Sequence, residues 1–370
     1  MASMLRSINR KSVPRGARIR VLVVDDSVVI RRLVTHALSE DPALEVVGTA
    51  ANGLIALQYI AQLNPDVITL DIEMPEMDGL GVLRQIRHQE GRPRVVMFST
   101  LTDRGAALTL ESLALGADDY VTKAANVGSL DRSMARLRQE LIPKIRQFFL
   151  VPGEVAPARA PLSAPNPARA VSVPANRTGQ PRVVAIGIST GGPTALAEIM
   201  PQFPANFPLP ILIVQHMPPL FTRFLADRLQ SGTDLRVAEA AEGAPVTAGT
   251  VWIAPGDYHM LVRLKGPDAV IRLDQSAAEN SCRPSADVLF RSVAEVYGGA
   301  AICAVLTGMG QDGLRGSAVL HANGAYVIAQ DEASSVVWGM PGAVAGAGLA
   351  NCVLPLDAVV PEILRQVTKG

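Results

Sequence analysis

At residues 20–27 the chain reads RVLVVDDS, an apolar run that ends directly in two acidic residues and a serine. The run Arg20–Val24 has the β-branched character of a buried strand, and Ser27 suits the N-cap of a following helix. Four further apolar runs alternate with helical stretches, at residues 44–47, 67–70, 94–98 and 120–122. This alternation predicts a five-stranded parallel sheet covered by helices on both faces.

The composition fits two globular domains rather than a nucleic-acid or membrane protein. The 370 residues exceed one ordinary core, and a hydrophobic content of 48% can fill two. Basic and acidic residues number 34 each, so no net charge draws the chain to nucleic acid. No stretch approaches the ~20 apolar residues of a membrane span, so we expect no membrane insertion. Three scattered cysteines without zinc-ligand spacing suit the reducing cytoplasm.

Four segments follow along the chain. Residues 1–18 form a basic tail that we expect to be disordered, and residues 19–149 form the first domain. Residues 150–180 hold six prolines among alanine, serine and arginine, which predicts an extended linker. Short strands and helices alternate again over residues 181–370, with a cluster of short strands in the middle. This part predicts a doubly wound α/β domain with a small antiparallel appendage.

Polar residues end the apolar runs of the first domain, namely Asp25, Asp26, Asp71, Ser99 and Lys123. Because the carboxyl ends of parallel strands meet at one crevice, we expect these side chains to lie together. Three carboxylates there repel one another unless a hard cation neutralises them, and Mg²⁺ suits that role. Glu73 offers a backbone carbonyl as a further ligand. The pattern predicts a Mg²⁺ site whose middle carboxylate accepts a phosphoryl group held by the serine and the lysine.

Three stretches of this domain, Val23–Ser27, Asp71–Gly79 and Asp119–Lys123, resemble bacterial response-regulator receiver domains. The resemblance covers about residues 19–145 and implies a flavodoxin-like fold, with a histidine kinase as phosphodonor. It also implies individual roles: Asp71 as phosphoacceptor, Asp25 and Asp26 as Mg²⁺ ligands, and Ser99 and Tyr120 with Lys123 as the switch. Ala124 departs from the family, which usually has proline after this lysine.

A glycine-rich turn follows the first strand of the second domain. The sequence Gly187-Ile188-Ser189-Thr190-Gly191 has a G-x-S-x-G arrangement, which allows a sharp turn that exposes the serine hydroxyl. Amides at the start of the next helix would stabilise a developing oxyanion. Phosphate binding by the same turn is a second interpretation of this motif.

A general base and an acid would favour catalysis over phosphate binding. Of the five histidines, His216 directly follows the apolar run Ile211–Val214 and its Gln215, one βα unit after Ser189. Asp312 arrives in the glycine-rich loop after another strand, where it could orient the histidine or cap a helix. A rival set combines Ser189, either Asp257 or Asp312, and His321. It is weaker because His321 lies within a helical pattern.

Six stretches of the second domain together resemble the chemotaxis protein-glutamate methylesterases: Ser189–Gly192, Gln215–Met217, Ala254–His259, Arg283–Asp287, Thr307–Gly313 and Gly339–Pro341. The resemblance spans about residues 181–368 and assigns the triad to Ser189, His216 and Asp312. It implies supporting roles for Thr190 and for Met309, whose backbone N–H becomes an oxyanion donor.

By this resemblance the chain releases methanol from glutamate methyl esters of chemoreceptors, and the family adds glutamine deamidation. Phosphorylation of Asp71 would then relieve inhibition by the receiver domain, and the esterase chemistry needs no cofactor. Two other classes of function were weighed. A DNA-binding response regulator needs a compact basic domain after the linker, which residues 181–370 do not suggest. A catalytically silent receptor-binding scaffold would leave Ser189 unreactive.

Overall fold

The computed structural model describes residues 11–12, 17–89, 91–123, 130–150 and 180–368. Most of the predicted basic tail and linker lies outside these ranges, as does Ala124. Among the described residues, no helix is both long and apolar enough to cross a bilayer.

The first domain contains a parallel sheet with the strand order β3-β2-β4-β5-β6. Its elements are β1 (Lys11–Ser12), β2 (Ile19–Val24), α1 (Val28–Ser39), β3 (Leu44–Ala50), α2 (Gly53–Leu63), β4 (Val67–Asp71), α3 (Gly79–Ile86), β5 (Arg94–Ser99), α4 (Asp103–Ala114), β6 (Asp119–Thr122), α5 (Leu130–Arg146) and β7 (Phe149–Leu150). The order is that of a flavodoxin-like fold, as predicted, and the order reverses between β2 and β4.

Local signals in the sequence account for much of this domain. Ser27 caps α1 by accepting a hydrogen bond from the amide of Ile30, as its position predicted. The predicted closing helix forms as α5, which buries Leu141 and Ile145 completely. One part of the tail differs from the predicted disorder, because β1 pairs in parallel with β7 through backbone hydrogen bonds.

The second domain is built on a seven-stranded parallel sheet with the order β10-β11-β9-β8-β14-β15-β16. Its elements are β8 (Val183–Ile188), α6 (Gly192–Ile199), β9 (Ile211–Gln215), α7 (Phe221–Gln230), β10 (Arg236–Glu239), β11 (Thr250–Ile253), β12 (His259–Lys265), β13 (Asp268–Asp274), α8 (Ala286–Tyr297), β14 (Ala301–Val305), α9 (Leu314–Ala322), β15 (Tyr326–Gln330), α10 (Met340–Gly346), β16 (Cys352–Leu354) and α11 (Leu356–Thr368). The antiparallel pair β12–β13 is the predicted appendage.

This sheet is doubly wound, as predicted, with the first strand β8 at its centre. Every residue of β8, β9 and β14 is buried, which explains why these strands appear as unbroken apolar runs. The edge strand β16 was not predicted, since it has three residues and none of them is fully buried. The strand order reverses between β8 and β14, which opens a crevice at their carboxyl ends.

The two domains pack against each other through α4, which contacts α6 and α7. Tyr120 of β6 stacks on Phe221 of α7, with ring centroids 5.2 Å apart and planes inclined by 9°. One apolar cluster runs from the first domain into the second and includes Leu110 and Leu225. An exposed ion pair, Arg223 with Asp103 at 3.2 Å, lies at the rim. The carboxyl edges of both sheets are therefore held close together.

Candidate active site and phosphorylation site

Three neighbouring strands bring the predicted esterase residues to one edge of the second sheet. Ser189 directly follows β8, and its amide donates to Thr307 O at 3.0 Å, just beyond β14. His216 directly follows β9, and its amide donates to Ile188 O at 3.2 Å. Asp312 lies in the loop between β14 and α9. The pairing of the parallel strands thus explains why distant stretches of sequence meet.

The turn that carries Ser189 depends on close backbone packing. Gly191 has a φ of +78°, a conformation that side chains other than glycine rarely adopt. A Cβ on Gly308 would lie 2.8 Å from the Cβ of Ser189, so only glycine allows this approach. Within residues 180–368, the amides of Thr190 and Met309 donate to no protein acceptor. Both residues line the same cavity as Ser189, and their role as oxyanion donors stays a prediction.

His216 and Asp312 form a direct pair, with Nε2 of the histidine 2.8 Å from Oδ2 of the aspartate. The imidazole is mostly buried, with 12% of its side-chain surface exposed. Burial alone would lower the pKa of His216, but hydrogen bonds to Asp312 and Cys282 outweigh it and raise the pKa to about 10. The imidazole is therefore oriented by a carboxylate through Nε2, and its Nδ1 faces Sγ of Cys282.

Asp312 also caps helix α8. It therefore makes both contacts that the sequence suggested, one with the histidine and one with a helix N-terminus. Its carboxylate accepts hydrogen bonds from the hydroxyl of Ser285 at 2.7 Å and from the amide of Ala286 at 2.6 Å, at the start of α8. Burial opposes ionisation, yet the hydrogen bonds from His216 and α8 lower the pKa of Asp312 well below its usual value. Asp312 is held as a carboxylate beside the imidazole.

A second buried carboxylate completes a reciprocal arrangement. Asp287, in the first turn of α8, accepts a hydrogen bond from the amide of Gly316 in α9 at 2.6 Å. Asp312, just before α9, caps α8 in turn. The side-chain amide of Asn280 donates to both carboxylates, at 2.9 Å each. The position of the candidate acid is therefore built into the packing of the two helices.

The rival set is not assembled in this structure. His321 lies near the end of α9, whereas the candidate site lies at the start of that helix. Asp257 pairs instead with Arg283, with Oδ1 2.6 Å from Nη2. His259 is fully buried, and its Nδ1 accepts a hydrogen bond from the amide of Ser285. The geometry favours His216.

One residue at the site was not anticipated. Cys282 lies in the loop between β13 and α8, and its Sγ is 3.6 Å from Nδ1 of His216. In the sequence, the one indication that Cys282 lies near the site is that it directly precedes the motif at residues 283–287. An irregular loop gives no periodic pattern, so the sequence could not place this thiol against the histidine.

A cavity of about 700 Å³ contains Ser189, His216 and Asp312 together with Thr190 and Met309. The first domain closes part of it, through Leu113, Asp119, Tyr120, Gln139, Glu140 and Lys144. The hydroxyl of Thr190 donates to Oδ2 of Asp119 at 3.2 Å. Lys144 holds the other oxygen of Asp119 at 3.0 Å. The residue next to the candidate nucleophile is thus bound by the first domain.

The acidic cluster of the first domain forms as predicted. Oxygen atoms of Asp25, Asp26 and Asp71 lie within 4.8 Å of one another. Lys123 pairs with Asp71 at 2.7 Å and with Asp25 at 2.9 Å. Burial and the neighbouring Asp25 raise the pKa of Asp71 to about 6, against the lowering effect of Lys123. Three carboxylates with hard oxygen donors fit Mg²⁺.

The predicted switch residues extend from this acidic cluster to the interface between the domains. Lys123 belongs to the cluster. Buried Ser99 accepts a hydrogen bond from Thr109 of α4 at 2.6 Å, and α4 packs on the second domain. Tyr120 lies in the interface itself, and burial raises its pKa. The side chain of Glu73 pairs with Arg104 at 2.9 Å, and the contribution of its carbonyl to a metal site stays a prediction.

The chain combines two α/β domains. The first has an acidic cluster of the kind found at phosphorylation sites, and the second has a serine, a histidine and an aspartate at its sheet edge. This combination defines a protein of the receiver-plus-hydrolase class. Residues 21–135 match the family described as response regulator receiver domain, and residues 184–363 match CheB methylesterase. With the relatives described next, these matches show that the chain belongs to the protein-glutamate methylesterase/protein-glutamine glutaminase family.

Relatives from distant bacteria share nearly the whole length of this chain. A protein-glutamate methylesterase/protein-glutamine glutaminase of Trichodesmium erythraeum is 48% identical over 95% of this chain and 99% of its own. A protein of the same name from a Nocardioides species is 52% identical, over 95% of this chain and 96% of its own. Among solved structures, the Thermotoga maritima CheB methylesterase catalytic domain is 42% identical, with a TM-score of 0.49, over 52% of this chain and 100% of that one. The resemblances stated from the sequence are confirmed.

Proposed function

We propose that this chain hydrolyses methyl esters of glutamate side chains on chemoreceptors and releases methanol. The observation that carries the proposal is the His216–Asp312 pair at 2.8 Å, in one cavity with Ser189. The names of the full-length relatives supply the substrate class. Because those names also include glutaminase activity, the proposal extends to glutamine deamidation, which proceeds through the same acyl-enzyme.

The mechanism follows from which imidazole nitrogen is free. Asp312 binds Nε2, so Nδ1 takes the proton from the hydroxyl of Ser189 as its oxygen attacks the ester carbonyl. The amides of Thr190 and Met309 stabilise the oxyanion, and methanol leaves with the proton returned by His216. Water then hydrolyses the acyl-enzyme by the same route. Asp312 stabilises the transient imidazolium throughout.

The regulatory part of the proposal is that the receiver domain covers this cavity until Asp71 is phosphorylated. Six residues of the first domain line the cavity, and Asp119 binds Thr190. Asp25, Asp26 and Asp71 would hold Mg²⁺, which neutralises charge during phosphoryl transfer from a chemotaxis histidine kinase. Ser99 and Tyr120 connect the acidic cluster to α4 and Phe221. Phosphorylation then shifts the population toward uncovered chains.

The function is tested by radiolabelled methanol release from methylated receptor membranes, with and without a small phosphodonor and Mg²⁺. We expect the phosphodonor to raise the rate of the full chain by about tenfold, a typical allosteric coupling. Chelation of Mg²⁺ and the Asp71→Asn substitution should each remove the stimulation while the resting rate remains. Absence of methanol release under every condition would contradict the esterase assignment.

Removing residues 1–150 tests the covering role of the receiver domain separately. The truncated chain keeps the whole seven-stranded sheet and loses the six residues that close the cavity. We expect its methanol release to exceed that of the unphosphorylated full chain by about tenfold, without any response to the phosphodonor. A circular dichroism melt confirms that the fragment is folded. A folded fragment no faster than the resting full chain would show that occlusion is wrong.

A further inference from the structure

The imidazole nitrogen that does not bind Asp312 contacts a thiol group. Nδ1 of His216 faces Sγ of Cys282 at 3.6 Å, within the range of a sulfur hydrogen bond. Within the described residues, the hydrogen bonds of the imidazole join it to Asp312 and Cys282 and not to the hydroxyl of Ser189, which lines the same cavity. In this receiver-covered arrangement the thiol, rather than the nucleophile, is the partner of the base.

The loop that carries Cys282 is anchored to the site itself. Its neighbour Asn280 donates to Oδ1 of Asp312, whose other oxygen binds His216. The backbones of Glu279 and Cys282 exchange hydrogen bonds at 3.1 and 2.8 Å. Glu279 is in turn paired with Arg291 at 2.5 Å. The thiol is therefore held against the imidazole by the same carboxylate that orients the ring.

The receiver domain lies on the other side of this loop. A second cavity of about 480 Å³ is lined by Tyr120, Glu140 and Lys144 of the receiver and by His216 and Cys282. The charged and titratable groups that line the two cavities beside the imidazole are Asp312, Cys282, Asp119, Tyr120, Glu140, Lys144, Asp257 and Arg283. Movement of the receiver changes the surroundings of the thiol and of the base together.

We propose that Cys282 is a positioning residue that holds Nδ1 of His216 while the receiver domain covers the site, so that Ser189 must displace it. The inference rests on the proposed function. It adds a second source of inhibition, a contact within the esterase domain, to the covering of the cavity by the receiver domain. Sγ accepts a hydrogen bond from Nδ1–H of the charged imidazole and so favours that form of the ring. The charged ring cannot act as a base toward Ser189.

The pH dependence of methanol release tests this effect on the base. Cys282 contributes to the raised pKa of His216, so its removal lowers that pKa. Because the rate requires a neutral imidazole, the acid limb of kcat/KM should move to lower pH in Cys282→Ala, by about half a unit or more. The rate of the unphosphorylated chain at pH 7 should rise about threefold or more. Cys282→Ser, which keeps a hydrogen-bond acceptor at this position, should restore wild-type behaviour in part.

Cys352→Ala is the matched control, because Cys352 is half-buried on β16 and its thiol contacts Tyr326 instead. Its acid limb should coincide with that of the wild type. An acid limb in Cys282→Ala that also coincides with the wild type overturns the proposal.

A second measurement does not depend on esterase activity. Iodoacetamide alkylates a thiolate by forming a carbon–sulfur bond and releasing iodide, with the thiol proton passed to the buffer, and a charged imidazole beside the sulfur favours this reaction. We expect the alkylation of Cys282, followed by peptide mass spectrometry, to slow by about tenfold in His216→Gln. Alkylation of Cys352 should be equal in both chains. An unchanged alkylation rate at Cys282 in His216→Gln would overturn the proposed role of Cys282. If the wild type releases no methanol but its alkylation depends on His216, only the proposed function is refuted.

Discussion

Replacement of Ser189 by alanine should lower methanol release from methylated receptor membranes by about a thousandfold or more. The loss is expected because the turn after β8 carries the proposed nucleophile into the cavity that also contains His216. Ser189 is incompletely buried, and its Cβ packs against Gly308, so loss of one hydroxyl leaves the turn intact. The effect should appear in kcat, with little change in stability.

The control for this variant is Ser281→Ala, which removes a hydroxyl from the same cavity. Ser281 is exposed and lies on the loop before α8, so its loss should leave the rate within about twofold. A fluorophosphonate reagent should label wild type at Ser189 and fail to label Ser189→Ala. Undiminished methanol release in Ser189→Ala would exclude the triad, and an unlabelled wild type would favour the silent scaffold.

The Asp312→Asn chain should lose about 10³-fold in kcat, since an amide neither fixes the tautomer of His216 nor stabilises the imidazolium. Its pH profile should change as well. Hydrogen bonding to Asp312 raises the pKa of His216, so the variant titrates at lower pH. The variant should also be less stable by about 1–3 kcal/mol, because the amide group cannot accept every hydrogen bond that α8 donates.

Asp287→Asn separates catalysis from stability. Asp287 is a buried carboxylate that caps α9, as Asp312 caps α8, and it makes no contact with His216. We expect a similar loss in a thermal melt and a kcat within a few-fold of the wild type. Equal losses of kcat in the two variants would mean that Asp312 acts only through the helices.

The sequence predicted well which residues lie at the two sheet edges, because strand ends carry a strong physical signal. A run such as Ile211–Val214 is buried on both faces, so its carboxyl end must emerge at the crevice with the polar residue that follows. Parallel strand order then brings Ser189, His216 and the Asp312 loop together. The acidic cluster followed in the same way from the ends of β2 and β4.

Contacts between irregular segments could not be predicted from periodicity. The approach of Cys282 to His216 depends on a loop whose backbone is set by Asn280 and Ser281, both with positive φ. The hydrogen bond from Thr190 to Asp119 joins residues 71 positions apart on different domains. No local sequence pattern predicts either contact, because each forms only when two separate parts of the folded chain pack against each other.

The stack of Tyr120 on Phe221 has a thermal consequence for a chain regulated as proposed. Separating these rings exposes apolar surface to water, and such exposure carries a positive change in heat capacity. The free energy of opening is then curved in temperature, and the uncovered fraction passes through a minimum instead of rising steadily on warming. Near that minimum the uncovered fraction is almost independent of temperature, so the resting demethylation rate of such a chain would follow the temperature dependence of the chemical step alone.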